Sequence, residues 1–296
     1  MDNMTALVSA FARAYHYQKS RVWVFADSLA QKLLTDEEYI AISKNMSGGI
    51  SFFAPGFEGT PDEALRFVVE RQLAPSVLAR SAFCERAIDN AARLGCRQVA
   101  LYAVGYDTFP LRNRDGRLTV FELDRPGIIA DRWSRIQRAG LEPACRVEAI
   151  GCDLSGPEWK DRLIRAGFDP GEASFASLLG ISYYLSKGDF KRLIEGIASI
   201  CPEGSSVCFD YPMAEGGAEA RRNRELAAAA GETMRAKYAY AEMEALLADA
   251  GFLIYEHMDA DGATGAFFAA YNRENPAHEM RAPEGVGYCL AVKKGR

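Results

Sequence analysis

Apolar positions recur first at helical spacing: Leu7, Val8, Phe11 and Tyr15, within residues 5–17, mark an amphipathic helix packed on the body of the protein. A second periodic stretch runs from about Trp23 to Met46 and contains Thr35 with a carboxylate three residues later, Glu38, the signature of a capped helix start. Residues 47–62 (SGGISFFAPGFEGTPD) change to Gly, Pro and Phe, which reads as a long mobile loop able to close over a site and exclude water. From Pro75 to Leu94 one side carries Val77, Leu78, Ala82, Ala87, Ile88 and Ala91, and Gly95 supplies the stop, so a helix is expected there.

Beyond Gly95 short apolar runs alternate with helical patterns. Residues 98–104 and 118–124 suit parallel strands buried on two faces, and the runs 146–153, 174–185 and 205–211 continue the series, with a helix near 189–200. A helix is expected over about 239–250, stopped by Gly251, then strands over 252–258 and 288–293. With no helical pattern seen between them, these two strands are expected to form an antiparallel pair at the sheet edge. The fold class is therefore α/β, a doubly wound and mostly parallel sheet. Residues 1–74 form an N-terminal helical cap and lid on a core spanning 75–296, within one domain.

Composition narrows the chemistry. An apolar fraction of 49% over 296 residues is enough for a substantial core, and a net charge of -5 offers no basic footprint for a phosphate backbone, so no nucleic-acid partner is expected. Seven cysteines without a C-x-x-C pair read as buried thiols of a reducing cytosol, and no metal site is expected. An acidic start and the lack of an apolar run of the ~20 residues needed for a membrane span lead to the expectation of a soluble, cytoplasmic protein, a monomer or homodimer, with no membrane partner.

In an open parallel sheet, ligands bind outside the carboxyl ends of the strands. Gly105 ends the first strand and permits close backbone approach, with Asp107 just after it. Asp124 ends the second strand about twenty residues later, the spacing at which a carboxylate reaches both ribose hydroxyls, and Glu122 lies in the same turn. Asp153 ends the third, where an acceptor can meet the exocyclic amine of adenine. Together they describe an adenosine site. A nicotinamide dinucleotide would need G-x-G-x-x-G for its pyrophosphate, whereas here one glycine is followed by a carboxylate, Gly105-Tyr106-Asp107, so an NAD(P)-dependent oxidoreductase is the weaker alternative.

These motifs resemble the leucine carboxyl methyltransferase superfamily, in particular its bacterial members acting on small molecules. Ala12-Arg13-Ala14 and the run 25–30 (FADSLA) look like the family's cap, residues 98–108 like its glycine loop, and Glu122-Leu123-Asp124-Arg125-Pro126 and Cys152-Asp153-Leu154 like its ribose and adenine motifs. Residues 180–185 (GISYYL) and Pro202-Glu203-Gly204-Ser205 continue the match. The resemblance implies a seven-stranded class I methyltransferase sheet, Rossmann-like, with S-adenosyl-L-methionine as cofactor. It also implies that Arg80, in Leu78-Ala79-Arg80-Ser81, binds the cofactor carboxylate.

Two departures stand out: Ala103-Val104-Gly105 where the family usually reads Gly-Ala-Gly, and Leu179 where it usually has a glutamate paired with the cofactor's ammonium. A non-catalytic binding protein with a degenerate site is the alternative they motivate. The cofactor candidates are Arg80, Gly105, Asp107, Glu122, Asp124, Asp153, Leu154 and Leu179. The expected reaction is O-methylation of a small-molecule carboxylate or hydroxyl, met by Tyr15, His16, Ser182, Tyr183, Tyr184, Tyr211 and the Phe52 to Phe57 loop, since small-molecule pockets combine aromatic walls with a few polar tips. None of His16, His257 or His278 sits in a recognisable base motif, so no catalytic residue is assigned.

Overall fold

The computed structural model describes residues 3–215 and 235–295. Its elements begin with α1 (Met4–Lys19), α2 (Asp36–Gly48), the short α3 (Ile50–Phe53), α4 (Pro61–Val68) and α5 (Ala74–Arg93). The alternating part follows as β1 (Gln98–Tyr102), the short α6 (Phe109–Arg112), β2 (Thr119–Asp124), α7 (Pro126–Arg138) and β3 (Arg146–Gly151). It continues through α8 (Trp159–Arg165), β4 (Ser174–Leu178), α9 (Lys187–Ser199), β5 (Ser206–Pro212), α10 (Tyr240–Asp249), β6 (Phe252–Met258) and β7 (Val286–Lys293).

The seven strands form one sheet in the order β3-β2-β1-β4-β5-β7-β6. Neighbours from β3 to β5 are parallel, and β7 is antiparallel to both β5 and β6. Every residue of β1 and β4 is buried, so their apolar side chains fill both faces of the sheet, with Gln98, Ser174 and Ser177 as buried polar exceptions. Val99 and Leu101 face the cluster holding α1 and α5, while Ala100 and Tyr102 face the cluster holding α8 and α9. The cap helices thus share one core with one face of the sheet. No helix among the described residues is long and apolar enough to cross a membrane.

Two expectations change. The loop expected over 47–62 shrinks to residues 54–60, because α2 runs on to Gly48, α3 follows, and Thr60 and Glu63 form a second capping box around Pro61. Between β6 and β7 the chain is helical after all, as Ala260–Ala263, a π-helical turn Thr264–Phe268 and Ala269–Glu274. Its buried residues, Ala263, Phe268 and Tyr271, are spaced by five and then three. The wider turn breaks the 3.6-residue period by which a helix is recognised.

Thr35 accepts from the Glu38 N–H at 3.1 Å while the Glu38 carboxylate accepts from the Thr35 N–H at 2.9 Å, and both Glu38 oxygens receive Arg135 of α7 at 2.7 Å. The cap is thereby tied to the core. Thr35→Ala is expected to lower stability by about 1 kcal/mol, read as a lower urea midpoint with unchanged slope.

Candidate functional site at the carboxyl ends of the strands

Sheet order reverses between β1 and β4, the point at which an open α/β sheet leaves a crevice beyond its strand ends. The chain turns out of β1 through Ala103, whose φ of +56° is left-handed, and Gly105, at +50°. That conformation costs an alanine roughly 1–2 kcal/mol and a glycine nothing comparable. A side chain at Gly105 would also press on Ala6 of α1 at 3.3 Å, so the cap helix lies directly against this loop.

The Gly105 N–H donates to one oxygen of Asp124 at 2.9 Å, and the Arg125 N–H donates to the other at 2.7 Å. Burial pushes the Asp124 carboxyl up, and these two N–H groups pull it back. From the other side the Cys152 N–H donates to the Asp124 carbonyl at 2.8 Å. Gly105, Asp124 and the start of the Asp153 turn therefore sit on three consecutive strand ends. Asp153 itself is exposed, and its carboxylate accepts from the Ser155 N–H at 2.9 Å and hydroxyl at 2.7 Å, which lowers its pKa.

Glu122 does not join this group. It is buried in a pair with Arg132 of α7, their side chains 1% and 0% exposed, and also receives Trp133 Nε1 at 3.1 Å. Arg132 in turn donates to the Asp107 carbonyl, and its Nη1 lies 3.4 Å from the Gly105 carbonyl. Glu122 thus holds the brace of the glycine loop, and its carboxylate is taken up by Arg132 and Trp133. The Asp107 carboxylate accepts from the Phe109 N–H at 2.7 Å and opens α6.

Across the crevice, Arg80 of α5 donates to Ser9 Oγ of α1 at 3.3 Å and lies over Gly180, where a Cβ would stand 2.7 Å from its Nη1. Ser182 and Tyr183 are buried and bound to Asp210 of β5: the Ser182 hydroxyl donates to its carbonyl at 2.6 Å and the Tyr183 hydroxyl to its carboxylate at 3.0 Å. Leu179, half-buried, packs on the α1 and α5 side and Leu154 on the α8 and α9 side. The half-buried Tyr184 lies in the same turn, its N–H bonded to the Ile181 carbonyl.

The remaining predicted residues go elsewhere. Tyr211 follows Asp210 in β5 and so points to the opposite face, against Tyr238 and His257 Nε2, the latter at 2.9 Å. His16 is buried in α1 with Nε2 accepting from the Val24 N–H at 2.9 Å and Nδ1 3.2 Å from Ser20 Oγ, and desolvation lowers its pKa to about 4. It is a neutral clamp on the turn after α1. Tyr15 is buried beside Phe11, and its hydroxyl is pushed well up by desolvation and by Glu70. Among the described residues no three His, Cys, Asp or Glu gather as they would around a metal ion.

The model of the family described as leucine carboxyl methyltransferase matches residues 6–198. This chain belongs to the leucine carboxyl methyltransferase family. A relative in Bacillus subtilis (strain 168), YktD, provisionally named an S-adenosyl-L-methionine-dependent methyltransferase, is 36% identical over 305 residues, covering 99% of this chain and 98% of its own. Among solved structures, a DUF574 family protein from Streptomyces avermitilis has a TM-score of 0.60 at 16% identity, covering 96% of this chain and 97% of its own. A provisionally titled methyltransferase from Thermobifida fusca has a TM-score of 0.56 at 13% identity, covering 98% and 94%. These two likenesses show the fold, a class I methyltransferase sheet.

Two residues of this family member, Asp210 and Arg132, were not picked out from its sequence, and Arg13 stood there only as part of a cap motif without a role. Asp210 carries the same signal as Asp124 and Asp153, an acid at a strand end, and was passed over within an apolar run. Arg132 had no such signal and Arg13 only its place in the cap motif: Arg132 sits on a helix ten residues after its partner Glu122, and Arg13 donates to Asp27 at 2.8 Å and to the Tyr106 carbonyl at 2.7 Å. Both are recognised only by what they brace.

Ala103→Gly should raise stability by about 1 kcal/mol by removing left-handed strain, net of glycine's extra freedom when unfolded, and urea unfolding reads it. His16 binds fewer protons folded than unfolded between pH 6.5 and about 4, so its contribution is complete above 6.5 and is lost as pH falls through that window. Stability measured from pH 7 to 4 should fall less steeply in His16→Gln than in the parent chain.

Proposed function

We propose that this leucine carboxyl methyltransferase family member transfers a methyl group from S-adenosyl-L-methionine to a carboxylate oxygen of a small molecule. The coarser statement, S-adenosylmethionine-dependent methyl transfer, follows from the family and from the full-length relative in Bacillus subtilis. The residues present fit the adenosyl group. Asp124 has a carboxylate whose charge is raised in cost by burial and only partly offset by two N–H groups, so two further donors from ribose suit it. Gly105 has no side chain of its own at the end of β1, where Ala6 of α1 closes against it, and Arg80 stands across the crevice with guanidinium donors for a carboxylate.

Bound there, S-adenosylmethionine would supply an electrophilic methyl on a positively charged sulfur for the acceptor oxygen, leaving as S-adenosylhomocysteine. What the chain contributes is alignment and a dry site. Asp124 fixes the nucleoside, the 1–74 cap closes over it through Ala6 and Ser9 of α1, and the Ser182 to Tyr184 turn borders the acceptor space.

The observation that carries the choice of acceptor is where the three histidines stand. His16 is neutral with both nitrogens engaged, His257 bonds Tyr211 on the far face, and His278 lies 3.7 Å from Glu70. A phenol or alcohol would profit from such a base near it; a carboxylate is already ionised and needs none. Incubation with donor carrying a labelled methyl and a metabolite extract should give a labelled ester that base hydrolyses to volatile methanol. A base-stable ether would overturn the carboxylate assignment.

Asp124→Ala removes the charged acceptor of both ribose hydroxyls. Calorimetry with S-adenosylhomocysteine should show a loss of about 1.5–3 kcal/mol, roughly ten- to a hundredfold in Kd.

A further inference from the structure

Asp210 lies beyond the segment 6–198 that the family model matches, at the carboxyl end of β5 and on the sheet face covered by α1 and α5. It is a fully buried acid whose Oδ1 accepts from the Gly180 N–H at 2.7 Å and whose Oδ2 accepts from the Tyr183 hydroxyl at 3.0 Å. Arg80, the cation paired with it among the described residues, is 3.7 Å from Oδ2, close enough for charge pairing and too far for a hydrogen bond. Beside Asp210 in the β5 and β7 register stands Tyr288, whose buried hydroxyl has no hydrogen-bond partner among the described residues. Arg80 and Asp210 thus form a loosely joined, opposite pair at the switch point, with polar capacity left over.

An amino acid end group carries both charges, and a site that receives its carboxylate on Arg80 must also balance its ammonium. Leu179 puts no charge at the end of β4. The peptide joining Leu179 to Gly180 is trans, so its carbonyl points opposite to the N–H that Asp210 holds, and a carboxylate on that N–H polarises the carbonyl.

Resting on the methyl-donor reading above, we infer that Asp210 is the positioning residue for the donor's ammonium group, acting through the Leu179 carbonyl and matching the Arg80 and Asp210 pair to a zwitterion. Asp210 touches neither the methyl nor the sulfur. Its effect is on which end group the crevice accepts.

The test compares Asp210→Asn with the parent chain by calorimetry, using three ligands: S-adenosylhomocysteine, its analogue with hydrogen in place of the amino group, and methylthioadenosine, which lacks the amino acid arm. The asparagine keeps an acceptor for Gly180 and removes the charge. S-adenosylhomocysteine should bind at least tenfold more weakly, methylthioadenosine within twofold of the parent, and the deaminated analogue as well as before or more tightly, since Arg80 is then left without a competing anion. An equal loss for all three, a parallel loss for the first two ligands, or no loss at all overturns the inference.

Failure of the parent chain to bind any of the three overturns the donor reading along with it, whereas parent binding with the wrong pattern sinks the Asp210 role alone. If Asp210→Asn does not fold, Tyr183→Phe serves in its place. It leaves the carboxylate charge but removes the hydroxyl that fixes Oδ2, and should weaken S-adenosylhomocysteine severalfold with methylthioadenosine unchanged; equal effects on both ligands overturn the inference as well.

Discussion

The buried pair of Glu122 and Arg132 is the constraint from which the crevice takes its shape. A carboxylate on β2 and a guanidinium on α7 are both removed from water, which is tolerable because each is fully partnered. Arg132 uses its remaining donors on the carbonyls of the loop leaving β1. That loop passes through left-handed backbone at Ala103 and Gly105, a conformation the chain would not hold unaided. With the loop fixed, the Gly105 N–H is aimed at Asp124, the carboxylate proposed to hold the nucleoside.

The cap is built into the same scheme. Arg13 of α1 bonds the Tyr106 carbonyl and Asp27, while Arg112 of α6 stands 3.3 Å from the same Asp27. Burial alone would raise the Asp27 carboxyl, but the Arg13 and Arg112 guanidiniums bring it below its ordinary value. Tyr106 itself lies under the Arg135 guanidinium, 4.8 Å from its ring centre, and bonds Asp131. The glycine loop is therefore clasped between cap and core, so that opening the crevice means moving α1 off Gly105 and Ser9 off Arg80.

The two ends of the crevice use different physics. At the end proposed for the nucleoside, neutral hydroxyls would meet a carboxylate with spare lone pairs, a local matter of hydrogen bonding. At the other end, charge must be balanced in a dry place, and the groups that do so come from α5, β4, β5 and β7. In the proposed role of Asp210, an acid on the neighbouring strand supplies the charge that the aliphatic Leu179 lacks.

The sequence by itself determined the alternation of strands and helices, the strand-end acids at 124 and 153, the glycine at 105 and the family, because each is written in local period or contiguous motif. It did not reveal the helix between β6 and β7, whose π-helical turn erases the period, nor the insertion of β7 between β5 and β6. Only the tertiary structure decided which strand-end groups face the crevice. Glu122 and Asp124 are two residues apart and both acidic, yet one is consumed by Arg132 and the other is held at the strand end by two backbone N–H groups. Likewise Asp210 and Tyr211 are adjacent and lie on opposite faces of the sheet. Side-chain direction and pairing depend on contacts between distant segments, and these exist only once the sheet is assembled.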